Sequence, residues 1–186
     1  MSLELWGELE PLFRETRVDW TMFWRQLYEV VKKFPVDGAD PSTDYMYGDM
    51  LATLSASDSK RERSSPFYEL PNDESRSKYL KWIKKWREAL VSSYKDGGKS
   101  AKAVASGDDS LLAEERMRLA NPKYILREQT LVETYGKAAN GDESMIKELL
   151  DLVEHPYDEG TDEQSSKYYR RSPDEALKAG GTAFMS

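Results

Sequence analysis

The sequence predicts an all-α protein: an irregular bundle of about five to six helices with long polar loops and an extended C-terminal tail. Three observations carry that expectation. Apolar residues recur three or four apart in separate stretches, as the buried stripe of a helix requires. Proline, Asn-Gly and Asp punctuate those stretches where helices start or stop. No run alternates apolar and polar residues with the period of two that a half-buried strand needs.

The bulk composition narrows the class. With 39% apolar and 33% charged residues, only part of the 186-residue chain can form a packed core. The net charge of −7 lacks the basic face of a general nucleic-acid binder. There is no cysteine, so disulfides, thiolate metal sites and cysteine nucleophiles are excluded within this sequence. No apolar run approaches the roughly 20 residues of a membrane span, and the acidic start MSLELWGELEPLF is unlike a signal or transit peptide.

In chain order, Leu5, Trp6, Leu9, Leu12 and Phe13 form a stripe over 3–16, and Pro11 predicts an end or kink near Glu10. Asp19 opens a second helix whose Trp20, Phe23, Trp24, Leu27, Val31 and Phe34 share one face, and Pro35 closes it. Residues 36–44 read as a loop, and 45–54 as a short helix. The polar stretch 55–72, with its KRER cluster, reads as a mobile surface connection. From Asp73 to Tyr94, Tyr79, Trp82, Ile83, Trp86 and Leu90 form a buried stripe, with Lys78, Lys81 and Lys85 on or beside the opposite face. Tryptophans turned away from lysines cannot stack bases while the lysines hold phosphates, so the basic face reads as solvated. Trp20, Trp24, Trp82 and Trp86 call for more covering surface than the chain offers. Residues 95–109 form a Gly/Ser/Lys-rich mobile linker, and Asp108 or Ser110 caps a helix reaching Ala120.

The stretch from Asn121 to Pro156 reads as a helix pair. Asn121 caps the first helix, Pro122 takes its first position, and Ile125, Leu126, Val132 and Tyr135 give its apolar face. Asn140-Gly141 closes it, Asp142 caps the second helix, and Ile146, Leu149, Leu150 and Val153 form the apolar face of the second. His155-Pro156 stops the second helix. From Asp142 to Glu163 nine acidic residues accompany one lysine, Lys147. Residues 158–186 read as an irregular, flexible tail.

Little in this sequence suggests catalysis. His155 is the only histidine, and no nucleophile or second metal ligand lies near it. No alternating-oxygen calcium loop, Gly-x-Ser-x-Gly elbow, Gly-rich nucleotide loop or Asp-Phe-Gly appears. The residues predict no catalytic, cofactor-binding or metal site in this chain. They leave two readings open, a helical interaction module or a piece of an enzyme whose catalytic groups lie elsewhere.

The 121–159 stretch resembles the C-terminal signature of the selenoprotein O family. Family members carry Asn-Pro-x-Tyr/Leu-x-Leu-Arg, a Gly-Asp turn and a helix ending in Asn/His-Pro-Tyr/Phe. The matching positions are Asn121, Pro122, Tyr124, Leu126, Arg127, Gly141, Asp142, Pro156 and Tyr157. YYRRSPDEA resembles the family's Tyr-x-x-Arg-Pro-Pro-Asp-Trp, with Ser172 for the first proline and Glu175 for the tryptophan. Upstream, DWTMFWRQL matches a second family motif at Asp19, Thr21, Arg25 and Leu27, with Trp24 in a phenylalanine place. Trp82 and Trp86 fit the family's Trp-x-x-x-Trp/Tyr helix.

The resemblance implies the C-terminal helical part, residues 1–157, of a kinase-like protein adenylyltransferase. Such enzymes move AMP from ATP, with Mg or Mn, onto Ser, Thr or Tyr hydroxyls of proteins. The lysine and metal-binding Asp/Asn that do so lie upstream of the matched region, so no position here inherits a catalytic role. ATP and the metal belong to the full-length enzyme. The partners implied are the missing N-terminal kinase-like region and protein substrates, with no nucleic acid and no membrane. The Trp-rich helices would pack on the kinase-like lobe. Members are soluble and intracellular, and the eukaryotic ones mitochondrial or plastid. The family ends in Ser-(Cys or selenocysteine)-Ser-Ser, and Ser186 falls about where that residue would follow, as if a selenocysteine codon were read as a stop.

Overall fold

The structure, a computed structural model, describes residues 3–35, 44–56, 65–95 and 113–173. Eight helices account for most of them: α1 Leu3–Thr16, α2 Trp20–Lys33, α3 Asp44–Ser55, α4 Asp73–Lys95, α5 Ala113–Ala120, α6 Glu128–Ala139, α7 Ser144–Glu154 and α8 Asp162–Tyr168. The all-α class holds; the described residues contain one isolated bridge, Val18 to Phe67, and more helices than the five or six expected. The expected loop at 36–43, the KRER cluster, the linker after Lys95 with its capping Asp108 or Ser110, Glu175 and Ser186 lie outside the described residues.

Contacts divide the chain into two compact units, Met1–Ala56 with Ser65–Ala120, and Ser57–Ser64 with Asn121–Ser186. In the first, α2 packs against α3 and α5, while α4 packs against α1 and α3. Asp19 starts α2 as expected, its carboxylate accepting the Met22 N–H at 3.0 Å. Buried Phe23, Leu27, Val30 and Val31 of α2 then meet Leu5, Leu9 and Leu12 of α1 and Tyr79, Trp82 and Ile83 of α4 in one core. Rings meet edge-on within it, Phe13 and Phe23 at 4.5 Å between centroids and Phe67 and Tyr79 at 5.4 Å. Trp82 stacks on Trp86 and donates its indole N–H to the Leu5 carbonyl at 2.9 Å. The tryptophans therefore find most of their cover inside the chain: Trp82 and Trp86 are buried, Trp24 is partly buried, and Trp20 alone of the four stays 55% exposed.

Two further expectations are corrected here. α1 runs unbroken through Pro11. That proline sits on the exposed face, where water can serve the carbonyl it leaves unbonded, while buried Leu5, Leu9, Leu12 and Phe13 hold both halves on one core. The segment 65–72 is no loose connection either. Phe67 is buried in the core, and backbone bonds from Asp19 N–H to Pro66, Tyr68 N–H to Arg17 and Glu69 N–H to Thr16 lace it across the α1–α2 joint. Arg17 takes a left-handed φ of 47° to make that joint.

Two lysines on the basic side of α4 are paired, from α1 and from α4 itself. Lys85 reaches Glu8 at 2.5 Å, and Lys78 reaches Glu74 at 2.6 Å and Glu15 at 3.8 Å.

Candidate interaction surface

In the second unit, α6 and α7 pack as a pair. Their turn follows expectation: Gly141 adopts φ 84°, its N–H bonds to Ala138 at 2.9 Å, and Asp142 N–H bonds to Lys137 at 3.1 Å. Asp142 is not the cap of α7 as expected: Glu143 takes that position without a side-chain cap, and the Asp142 carboxylate, one residue earlier, accepts the Ser144 N–H at 2.9 Å; hydrogen bonds from the side chain and backbone of Ser144 lower its pKa. α7 ends at His155, whose backbone N–H returns to Asp151 and whose ring Nδ1 lies 3.1 Å from the same carbonyl, so the ring is occupied at the helix end.

The start of α6 differs from expectation. Asn121 and Pro122 do not cap a helix; the chain is non-helical from Asn121 to Arg127, and α6 begins at Glu128. The cause is a polar cluster that holds this segment extended. Lys123 and Tyr124 both donate their backbone N–H to the Pro156 carbonyl, at 2.7 and 3.2 Å. The buried Lys123 ammonium donates to the Glu159 carbonyl at 2.6 Å, the Glu159 carboxylate at 3.1 Å and the Ser165 hydroxyl at 3.0 Å. It also lies 5.5 Å from the ring centres of Tyr124 and Tyr169. Tyr124 donates its hydroxyl to the Glu159 carbonyl at 2.8 Å, directly over Gly160, where an added Cβ would lie 2.4 Å from that oxygen. Three bonds use all three ammonium protons, so this lysine serves as a structural centre and has no proton to spare for chemistry.

The stretch read as irregular tail continues the cluster and holds α8. Thr161 and Gln164 form a reciprocal capping box, and Lys167 and Tyr168 both donate to Glu148 of α7 at 2.6 Å. Burial pushes the Glu148 carboxyl up, but these two donors outweigh it and hold the group below its usual range. Burial, with that hydrogen bond, pushes the Tyr168 hydroxyl up to about 12. Ser172, in the place of a family proline, donates to Gln129 at 2.9 Å.

The remaining signature residues are placed as follows. Asp19, Thr21 and Arg25 lie on or at the start of α2 in the first unit; Arg25 is buried, donates to the Arg118 carbonyl at 2.9 Å and lies over the Tyr28 ring. Tyr124 and Pro156 meet at the lysine cluster, Arg127 is buried at the start of α6, and Tyr157 is part-exposed. Lys123, Glu159, Gly160, Ser165 and Tyr169 were not singled out by sequence, and only Gly160, ahead of a Thr-x-x-Gln capping pattern, offers a local signal.

The apolar faces expected to pack are also redistributed. α6 buries Thr130 and Thr134, the latter's hydroxyl returned to the Thr130 carbonyl at 2.6 Å, and exposes Val132 and Tyr135 at 64% each. α7 buries Met145, Leu149 and Leu152 and leaves Ile146 and Leu150 exposed. Among the described residues no group of three or more His, Asp or Glu is placed to hold a metal ion. No described helix is long and apolar enough to cross a membrane.

Comparison with known proteins adds what this geometry alone leaves unnamed. No family model and no solved structure matches the chain. Curated relatives do. A protein nucleotidyltransferase YdiU of Xanthomonas oryzae is 26% identical over 190 residues, covering all of this chain and 29% of the relative. Its counterpart in Xanthomonas campestris is 24% identical, again over the whole chain. The chain resembles the selenoprotein O/YdiU family along its whole length. A shorter stretch aligns more closely with the YdiU of Cytophaga hutchinsonii, 33% identical over 75 residues, or 40% of this chain and 14% of that protein. The chain spans about 29% of the length of the curated relatives that match it throughout.

Proposed function

We propose that the chain is the C-terminal helical region of a selenoprotein O-like protein adenylyltransferase and carries no catalytic group of its own. The observation that supports this reading is the alignment of the whole chain with under a third of relatives named protein nucleotidyltransferases. The reaction would be attack by a Ser, Thr or Tyr hydroxyl oxygen of a protein on the α-phosphorus of ATP. An O–P bond forms, the bond to pyrophosphate breaks, and the hydroxyl proton passes to a base. ATP and its Mg or Mn would sit in the remainder of the polypeptide. The chain's part is structural: a rigid helical body built on the aromatic core and the lysine cluster.

The self-sufficient core of the first unit favours a second reading, a stand-alone helical interaction module without catalysis. Incubation with radiolabelled ATP, divalent metal and a protein acceptor separates the possibilities. The isolated chain should transfer no AMP, whereas a family-length polypeptide containing it should. Transfer by the isolated chain would overturn the assignment of catalysis to the remainder; no transfer by the long polypeptide would favour the module.

A further inference from the structure

Arg87 of α4 is a buried cation without a counter-charge among the described residues. It is 1% exposed and lies in the first unit, where α4 meets α3 and the end of α2. One bond holds it, from Nη2 to the carbonyl of Pro35 just past α2. Nε and Nη1 are enclosed and find no acceptor. Burial pulls the guanidinium pKa below its usual value, and among the described residues only Tyr47 of α3, itself buried, opposes that shift; no carboxylate acts on it.

Three other side chains also bury an unbonded atom, Trp24 Nε1, Gln26 Oε1 and Gln129 Nε2. Those groups are neutral, and an unmet dipole costs far less than an unmet charge. Lys123 gives the opposite contrast, since its buried ammonium has three acceptors. An arginine cannot escape by losing its proton, because its guanidinium stays charged in proteins. Water could accept from Nε and Nη1 but would leave the charge unneutralised.

We infer that the Arg87 guanidinium is the centre of a binding site for a small, singly charged carboxylate anion. Charge selects the class. No second cation acts on Arg87, so a monoanion neutralises the site, whereas a phosphate dianion would leave buried negative charge. Shape narrows it further, because a flat carboxylate offers two acceptor oxygens to donors that lie in the guanidinium plane. Burial sets the size: at 1% exposure the site can enclose only the smallest carboxylates, such as formate or acetate. The site is independent of the functional reading above, since Arg87, Tyr47 and Pro35 all belong to the first unit.

Thermal unfolding of the full chain, with sodium formate exchanged for sodium gluconate at constant ionic strength, tests the inference. Gluconate carries the same charged group on a body too bulky to enclose. The unfolding temperature should rise with formate along a saturating curve, by about 3 °C once formate exceeds its dissociation constant about ten-fold. In Arg87→Met the same exchange should leave that temperature within about 1 °C. Arg87→Lys keeps the charge but loses the planar fork of donors, and should lose at least about half of the wild-type rise. An equal rise in wild type and Arg87→Met would be a bulk salt effect and would overturn the site. A flat response of the wild type would overturn it too. If Arg87→Met then unfolds more than about 5 °C lower, the counter-charge is a carboxylate of the chain itself. Should neither variant fold, the wild-type chain decides: it should broaden the resonance of isotopically labelled formate, and excess unlabelled formate, but not gluconate, should sharpen it again. An unbroadened resonance sinks the proposal.

Discussion

The two units solve the same problem with opposite materials. The first unit, about helices α1 to α5, closes a core of rings and aliphatic chains in which Phe23, Phe67, Tyr79 and Trp82 are each at most 1% exposed. The second, about α6 to α8, centres on the Lys123 cluster and on Glu148 with Lys167 and Tyr168, while Val132, Tyr135, Ile146 and Leu150 face outward. An aromatic core tolerates imperfect geometry because dispersion and burial are non-directional. A buried ammonium does not, since each proton needs an acceptor at the right distance or the charge is left costly. The first unit is therefore the source of bulk stability, and the second trades bulk for a fixed geometry and an uncovered apolar surface.

The sharpest way to break that contrast is to remove a ring. Phe23→Ala should cost about 3–5 kcal/mol, by lost burial plus the cavity left in the ring cluster, and should show as a large shift in a chemical denaturation midpoint. A loss under about 1 kcal/mol would mean the core is loosely packed and the contrast false. In the second unit Lys123→Met should cost about 2–3 kcal/mol, since it strips charged hydrogen bonds from the Glu159 carbonyl and the Ser165 hydroxyl. If that substitution is neutral, the cluster is replaceable by apolar packing and the second unit resembles the first.

Gly160→Ala should follow at about 2 kcal/mol, because φ 62° is left-handed and the new Cβ would meet the Tyr124 hydroxyl at 2.4 Å. Tyr124→Phe removes that oxygen, so the double variant should lose less than the sum of the two singles in a double-mutant cycle. The smallest effect is acid-dependent. The Glu148 carboxyl titrates below its ordinary 4.5, so its pairing stabilises the fold above that pH and is lost as the pH falls through the lowered value. Glu148→Gln should remove that slope, less than about 1 kcal/mol for a part-exposed group, from stability measured between about pH 5 and 3.

How much of this was legible in the sequence follows the same division. In the first unit the stripes of Trp20 to Phe34 and of Tyr79 to Leu90 name the core almost residue by residue, because periodicity is the signal of non-directional burial. What escaped was Phe67, one aromatic in a polar stretch with Pro66 and Pro71 around it; its burial depends on backbone bonds to residues fifty positions earlier, which no local pattern records. In the second unit periodicity misled. Ile125, Leu126, Val132 and Tyr135 keep helical spacing, yet Lys123 and Tyr124 are drawn into the cluster by Pro156 and Glu159, so the helix starts late and turns Thr130 and Thr134 inward. Those interactions join residues 30 to 40 positions apart, as in the 36 that separate Lys123 from Glu159. The family signature was legible at Tyr124 and Pro156, while the lysine between Pro122 and Tyr124 that organises them was not.

The bond from the Trp82 indole to the Leu5 carbonyl spans 77 residues. On a ribosome adding roughly 5–20 residues per second, the start of α1 therefore emerges about 4–15 seconds before the tryptophan that seals it. During that interval Leu9, Leu12, Phe23 and Leu27 lack the α4 side of their shelter, and any collapse must remain reversible until Trp82 arrives. Ring-rich nascent helices with such a wait are natural clients for holding chaperones, and slowing translation between α2 and α4 should raise the yield of aggregate.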